Sequence, residues 1–341
     1  MYYVFAAGYK SLLFALYIKN VSCKEIVIIT YSTNIVKYCE AENIKYILID
    51  QFPPRISSIF KLFAFKRKLD EIIKKIDLGK EDAYIILGMA TGYGRFYLAK
   101  ELSKKGNVYH RRIVRELKKF KPSWSKPIFI KGILYKIIMK LIFDLNIMYY
   151  ETNKDPRMGV DNDFLKKYNI RDYAPDLHTE EIILEAVKKS KINYRDYDNL
   201  IVDDGLSSNI LKTDSLQKLY KNLFEMPIEF AFKKHPKPLE QMEQVELSFY
   251  EPFKHCDELP MYIPVELFFN NIKKNVLSVF SASLIIASKL EHIKTISLLE
   301  LVDWHHETYK KEWRSHLIEK SNNKILFPKS FEELEEILLS S

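Results

Sequence analysis

The sequence predicts an α/β protein made of two Rossmann-like, doubly wound halves facing a cleft. Short apolar runs alternate with helix-length segments, the rhythm of strands joined by helical crossovers. The runs Ile26-Val27-Ile28-Ile29 and Tyr84-Ile85-Ile86-Leu87 are apolar on both faces, as strands buried inside a parallel sheet are. After a polar, turn-rich stretch at 152–198 the same rhythm begins again.

In the first half, strands are expected at Tyr2–Phe5, Glu25–Thr30, Tyr46–Asp50 and Ala83–Gly88. Helices are expected near Lys10–Lys19, Asn34–Glu42, Ser57–Ile76 and Arg95–Lys105. Residues 106–150 read as a basic helical excursion interrupted by Pro122 and Pro127. The second half supplies strands at Leu200–Val202, Ile228–Phe232, Val245–Phe249, Val276–Phe280 and Thr295–Leu298. A boundary near residue 190 divides the chain into 1–190 and 191–341. The last helix, Phe331–Leu339, begins behind Ser330 as an N-cap and is expected to fold back on the first half.

A chain of 341 residues, 47% of them hydrophobic, can build two cores of ordinary size. With 9 Gly, 13 Pro and no internal repeat, a solenoid or a fibre is excluded. Cys23, Cys39 and Cys256 are odd in number and lack CxxC spacing, which speaks for a reducing cytoplasm rather than a disulfide framework. The apolar start Met1-Tyr2-Tyr3-Val4-Phe5 has neither a basic leader nor a cleavage site, so no signal peptide is expected. The most apolar long stretch, Ile128 to Tyr150, is broken by Lys131, Lys136, Lys140 and Asp144 and is not a membrane span.

The net charge of +8 is concentrated in Lys104, Lys105, His110, Arg111, Arg112, Arg115, Lys118, Lys119, Lys121, Lys126 and Lys131, interleaved with Phe120, Trp124 and Phe129. Such a segment suits an anionic membrane surface, or simply a solvated helix face. Nucleic acid is not an expected partner, because no recognition motif accompanies the charge.

Three segments of the second half each follow an expected strand: Val202-Asp203-Asp204-Gly205, Lys233-Lys234-His235-Pro236 and Ser278-Val279-Phe280-Ser281-Ala282-Ser283. Acids, a histidine and serines brought to one carboxyl edge of a sheet would supply a base, an acid and a phosphate cradle. Gly205 permits a sharp turn after the acids, and Pro236 confines His235 to an extended backbone. Each motif also has a plainer reading: an Asp-Gly turn, a loop histidine, and Ser281 or Ser283 as a helix N-cap. Glu266, after Pro264, reads on its own as a first-turn acid stabilising its helix. In the first half Gly8, after the first strand, and Gly92, in Gly88-x-x-x-Gly92-x-Gly94, are candidates to line an acceptor site; the latter run lacks the GxGxxG register of a dinucleotide site. His305-His306-Glu307 is too compact to hold a metal, and no metal is expected.

The acid-acid-Gly, Lys-x-His-Pro-like and Ser-rich motifs, in this order, resemble those of bacterial sialyltransferases. The short interval from Asp203 to His235 is most similar to glycosyltransferase family 52, which includes lipooligosaccharide sialyltransferases. The likeness spans about residues 195–300, with Ala282 interrupting a pair of serines that are commonly adjacent in that family. The resemblance implies a GT-B fold and a metal-independent, cofactor-free transfer of sialic acid from CMP-sialic acid to a sugar hydroxyl, on a glycan acceptor that is lipid-linked. It implies Asp203 as general base, with Asp204 orienting it or serving as the base itself, and His235 as the acid toward the departing phosphate. It also implies donor contacts from Gly205, Lys234, Pro236, Glu266, Ser281 and Ser283. A cytoplasmic site at the inner face of the inner membrane and a possible homodimer complete these expectations.

Overall fold

The apolar runs of the first half become one parallel sheet. The computed structural model describes residues 1–49, 58–88, 93–112, 137–145, 162–174, 177–190, 192–204, 210–235, 249–250 and 256–340. Strands β1 (Tyr2–Phe5), β2 (Ile26–Thr30), β3 (Lys45–Leu48), β4 (Ala83–Gly88), β5 (Asn107–Arg112) and β6 (Arg171–Asp172) pair in parallel in the order β3-β2-β1-β4-β5-β6. Ile28 and Ile29 of β2 and Ile85 of β4 are fully buried, consistent with strands covered on both faces.

The crossovers are helices α1 (Tyr9–Ser22), α2 (Thr33–Ala41), α3 (Ile59–Lys75) and α4 (Tyr93–Leu102), followed by a helix at 137–143, α5 (Asn162–Lys167) and α6 (Thr179–Lys189). α3 turns Leu62, Phe65, Leu69 and Ile72 inward, at the spacing of one helical face. α4 is buried along nearly its whole length, and Gly94 is what lets it seat: a Cβ there would stand 3.0 Å from the Phe65 ring.

The second half repeats the plan with β7 (Tyr197–Val202), β8 (Ala231–Lys233), β9 (Asp257–Glu258), β10 (Ile272–Ser278), β11 (Lys294–Ser297) and β12 (Ile325–Leu326), in the order β12-β11-β10-β7-β8-β9. Counted from its own first strand, this is again the Rossmann order 3-2-1-4-5-6. Helices α7 (Thr213–Glu225), α8 (Ser283–Ala287), α9 (Glu307–Ser321) and α10 (Phe331–Leu339) accompany it. Ser330 caps α10, its hydroxyl accepting the Glu333 N–H at 3.2 Å. The chain divides into two compact units, Met1–Ala186 and Val187–Ser341.

Two expectations change. Residues 107–112, read from sequence as part of a helical excursion, form β5 in the body of the first sheet. Their polar side chains conceal the strand, yet Val108 and His110 are buried in alternation with the half-buried Tyr109 and Arg111. The charged segment also serves the fold where it is described. Lys105 donates to the Ile73 carbonyl at 2.7 Å, and Arg111 donates from Nη1 to the Ala174 carbonyl at 2.6 Å and from Nη2 to Leu177. The remaining basic and aromatic residues of 113–131 lie outside the described residues, as does nearly all of the strand expected at Val245–Phe249; the edge strand on that side is β9.

Gly106 follows α4, its N–H donating to the Leu102 carbonyl at 3.1 Å, and a Cβ on it would stand 2.8 Å from the Cβ of Leu78. Gly106→Ala is therefore expected to cost about 1–3 kcal/mol in urea unfolding. Gly8→Ala, where none of the described residues lies within 4 Å of the added atom, should melt with the parent.

Candidate active site at the switch point of the second sheet

In the second sheet the strand order reverses between β7 and β10, and ligands of open α/β sheets bind outside the carboxyl ends of the strands at such a point. β7 ends at Val202, so Asp203 and Asp204 leave the sheet there, with β8 on one side and β10 on the other. Successive residues of an extended chain point to opposite sides, and the two carboxylates divide accordingly.

Asp203 turns toward β8. Only 3% of it is exposed. Its Oδ1 accepts from the Tyr220 hydroxyl at 3.1 Å, and its Oδ2 accepts from the Tyr250 hydroxyl at 2.6 Å and from the His235 backbone N–H at 3.1 Å. The Asp203 N–H donates to the Lys233 carbonyl at 2.9 Å, continuing the β7–β8 ladder. This acid thus ties the end of β7 to α7 and to the histidine segment.

Asp204 turns toward β10 and keeps part of its surface. Its Oδ2 accepts from the Ser278 hydroxyl at 2.7 Å and from the backbone N–H groups of Val279 at 2.8 Å and Phe280 at 3.2 Å. Its Oδ1 has no partner among the described residues. Enclosure of the carboxyl group and, secondarily, the neighbouring charge of Asp203 push its pKa up to about 7, against the pull of Ser278 and the two amides. Ser278 Oγ also lies 2.7 Å from the Val202 carbonyl, and its single proton serves one acceptor at a time.

The lysines of the second motif differ in placement. Lys233 is 3% exposed; its Nζ donates to the Pro260 carbonyl at 2.5 Å and stands 5.9 Å from the Phe268 ring centre. Burial pushes its pKa down to about 7, opposed by the charges of Glu266 and Glu258. Lys234 is half-buried, pairs with Glu258 at 2.6 Å and lies over the Tyr250 ring. His235 is exposed. Glu266 is buried at the start of a 3-10 helix, Val265–Asn271, and accepts from the Ser283 hydroxyl at 2.9 Å. The short helix α8 has Ala282 rather than a serine at its N-cap; Ser281 Oγ instead accepts the Ser283 N–H at 3.3 Å.

Hydrogen bonds thus join Asp203 to the His235 backbone, Asp204 to the strand end at Ser278, and Glu266 to Ser283. Gly205, Pro236 and Gly92 lie outside the described residues. In the first unit, the switch point falls between β1 and β4, and Gly8 follows β1 there. Ser11 Oγ accepts the N–H groups of Ala7 and Gly8 at 2.9 and 3.0 Å, leaving open space above the Gly8 α-carbon. Sequence reasoning passed over Tyr220, Tyr250 and Ser278 as functional groups. Ser278, a polar residue ending an apolar strand inside a quoted motif, carried a signal. Tyr220 is hidden in the apolar face Leu216, Leu219, Leu223 of α7.

Two Rossmann-like domains in tandem, both of order 3-2-1-4-5-6, define a GT-B fold. No protein-family model matches the chain, and no curated protein does. Among solved structures, a calicheamicin glycosyltransferase, CalG4, is similar at 9% identity, covering 99% of this chain and 89% of that one, with a TM-score of 0.41. A putative UDP-N-acetylglucosamine 2-epimerase from Listeria monocytogenes is similar at 9% identity, with coverages of 99% and 90% and a TM-score of 0.44. The E. coli heptosyltransferase WaaC with ADP-2-deoxy-2-fluoro heptose is similar at 10% identity, with coverages of 99% and 96% and a TM-score of 0.40. Likeness at this level assigns no residue a role.

The two displaced pKa values act oppositely on stability. Asp204 is raised from 3.8 to about 7, so between about pH 4 and 7 the folded chain holds the extra proton and stability falls as pH rises. Lys233 is lowered from 10.5 to about 7, so from about pH 7 to 10 the unfolded chain holds the extra proton and stability rises with pH. Denaturant unfolding across pH should show both slopes, each up to about 1.4 kcal/mol per pH unit. Asp204→Asn should flatten the acid limb and Lys233→Met the alkaline limb.

Proposed function

We propose that the protein is an inverting, metal-independent glycosyltransferase that moves sialic acid from CMP-sialic acid to a hydroxyl of a terminal sugar on a bacterial surface glycan, a lipooligosaccharide or capsule chain. The observation that carries this reading is Asp204: a carboxylate at the switch point with one oxygen anchored and the other without a hydrogen-bond partner among the described residues, its pKa pushed up to about 7. A general base works best when its pKa lies near the working pH.

Asp204 Oδ1 takes the proton from the acceptor hydroxyl while that oxygen attacks the anomeric carbon from the face opposite the leaving group. The bond from that carbon to the CMP phosphate oxygen breaks, and the His235 imidazolium neutralises and protonates the departing phosphate. Between the two acids left open by sequence, this geometry favours Asp204 as base and gives Asp203 the work of fixing the His235 backbone through its N–H. Glu266, held by Ser283, would accept from the nucleotide ribose, with Lys234, Gly205, Pro236 and Ser281 on the donor side. Gly8 and Gly92 would line the acceptor side. A lipid-linked acceptor would be met at the cytoplasmic face of the inner membrane.

Mass spectrometry of products from CMP-sialic acid, another CMP-activated acid or UDP-glucose with galactose-terminated acceptors tests the reading. Transfer from UDP-glucose alone would replace the donor but keep the class; binding of none of the nucleotides would point to a glycan-binding module without catalysis. Asp204→Asn should cut kcat by about 10²-fold or more with CMP affinity nearly unchanged. The parent's kcat/KM should climb about tenfold per unit below pH 7, and the variant should lose that limb. His235→Ala should lower both turnover and CMP affinity. Full activity in folded Asp204→Asn overturns the assignment.

A further inference from the structure

The first unit carries an apolar face that its own core does not use. The opening of α3 reads Ile59-Phe60-Lys61-Leu62-Phe63-Ala64-Phe65-Lys66-Arg67-Lys68. Leu62 and Phe65 point into the core, while Phe60 is 90% exposed, Phe63 54% and Ile59 48%. The helix at 137–143 repeats the pattern. Ile138, Met139, Ile142 and Phe143 are buried, while Leu141 is 77% exposed and Ile137, one turn earlier, 50%. Both helices seat on α4, Phe65 and Phe143 lying 5.7 and 5.0 Å from the Tyr93 ring. Both also lie in crossovers that step in one direction across the sheet, β3 to β4 and β5 to β6, and right-handed crossings put such helices on one side of it. As the crossover from β3 to β4, α3 runs antiparallel to the strands, which puts its first turns at the sheet's carboxyl edge, the edge that also carries Gly8.

Charge selects the occupant. Four basic residues, Lys61, Lys66, Arg67 and Lys68, stand among these apolar side chains before the first acid, Asp70. Lys66 pairs with Asp70 at 2.9 Å and Lys140 with Asp144, while Lys61 and Arg67 are exposed on the outer side of α3. Bulky apolar groups rimmed by cations are what an anionic bilayer surface takes up: the aromatic rings enter the acyl boundary and the ammonium and guanidinium groups meet headgroup phosphates. A second copy of the chain fits less well, because a two-fold contact through this face would set Lys61 and Arg67 against their own counterparts.

We propose that Phe60, Phe63 and Leu141, with Lys61 and Arg67, form a membrane-docking face that holds the first unit on an anionic bilayer. The purpose of such docking rests on the reading that the acceptor is lipid-linked, but the face itself does not. It also differs from the basic segment at 104–131, whose described members Lys105 and Arg111 are occupied in the fold.

The test is flotation of the full chain with vesicles of phosphatidylcholine, with and without about a third phosphatidylglycerol, at low and high salt. The parent should float with the anionic vesicles and do so less at high salt. Phe60→Ser combined with Phe63→Ser and Leu141→Ser should weaken binding at least tenfold, and Lys61→Gln with Arg67→Gln should remove most of the salt dependence. Because these side chains are exposed, thermal unfolding and CMP binding should match the parent, and transfer to small soluble acceptors should persist if the chain is a transferase. An inactive parent that still floats would overturn the transferase reading and leave the docking face standing. Flotation of the triple variant equal to the parent's overturns the proposal. So does a parent that ignores vesicles, in particular one that sediments as a dimer which the triple variant breaks.

Discussion

Adjacent carboxylates at the end of β7 must face opposite neighbours, and the candidate site depends on that constraint. A strand that ends in Asp203-Asp204 between β8 and β10 can bond one acid to each side, and it does so with different kinds of donor. Two phenols and a backbone N–H converge on Asp203; a hydroxyl and two backbone N–H groups converge on one oxygen of Asp204. Burying a carboxylate is costly unless donors replace its water; Asp203 meets that condition on both oxygens and Asp204 on one, through groups far apart in sequence. The clasp fixes the exit of three strands at once. It also separates the two acids chemically, since among the described residues Asp203 has both oxygens bonded and Asp204 one.

The same economy governs the other buried ionisable groups. Lys233 sits beneath the histidine segment, its ammonium on the Pro260 carbonyl and over the Phe268 ring, in a setting that favours the neutral amine. By fastening β8 to the stretch that leads into Glu266, it links the histidine motif to the glutamate mechanically. Lys234, one residue on, reaches outward to Glu258 on β9. Two neighbouring lysines of one motif thus brace the framework around His235, Lys233 through Pro260 and Lys234 through Glu258.

Repetition of one strand order in both halves has a functional consequence. Each half has a switch point, one marked by Gly8 with open space above it, the other by the acid clasp. The two edges differ in character: the first carries Gly8 and the end of β5 at Arg111-Arg112, the second the two acids and a histidine. The apolar, basic opening of α3 lies on the first half's version of that edge, the one that carries Gly8.

The sequence by itself determined the two-fold α/β rhythm, the central strands β1, β2, β4, β7, β10 and β11, and the three motifs at strand ends, because apolar periodicity and strand-terminating turns are local properties of the chain. Tertiary structure decided the rest. It drew the polar run Asn107–Arg112 into the first sheet as β5, since only flanking strands and helices can bury Val108 and His110. It added the two-residue edge strands β6, β9 and β12, too short to carry a period. It turned Arg111 from an apparent membrane charge into a donor to two carbonyls. Above all it gave Asp203 and Asp204 different partners. The residues are neighbours with the same side chain, and what distinguishes them is which strand lies on each side of β7, a fact of topology that no local pattern encodes.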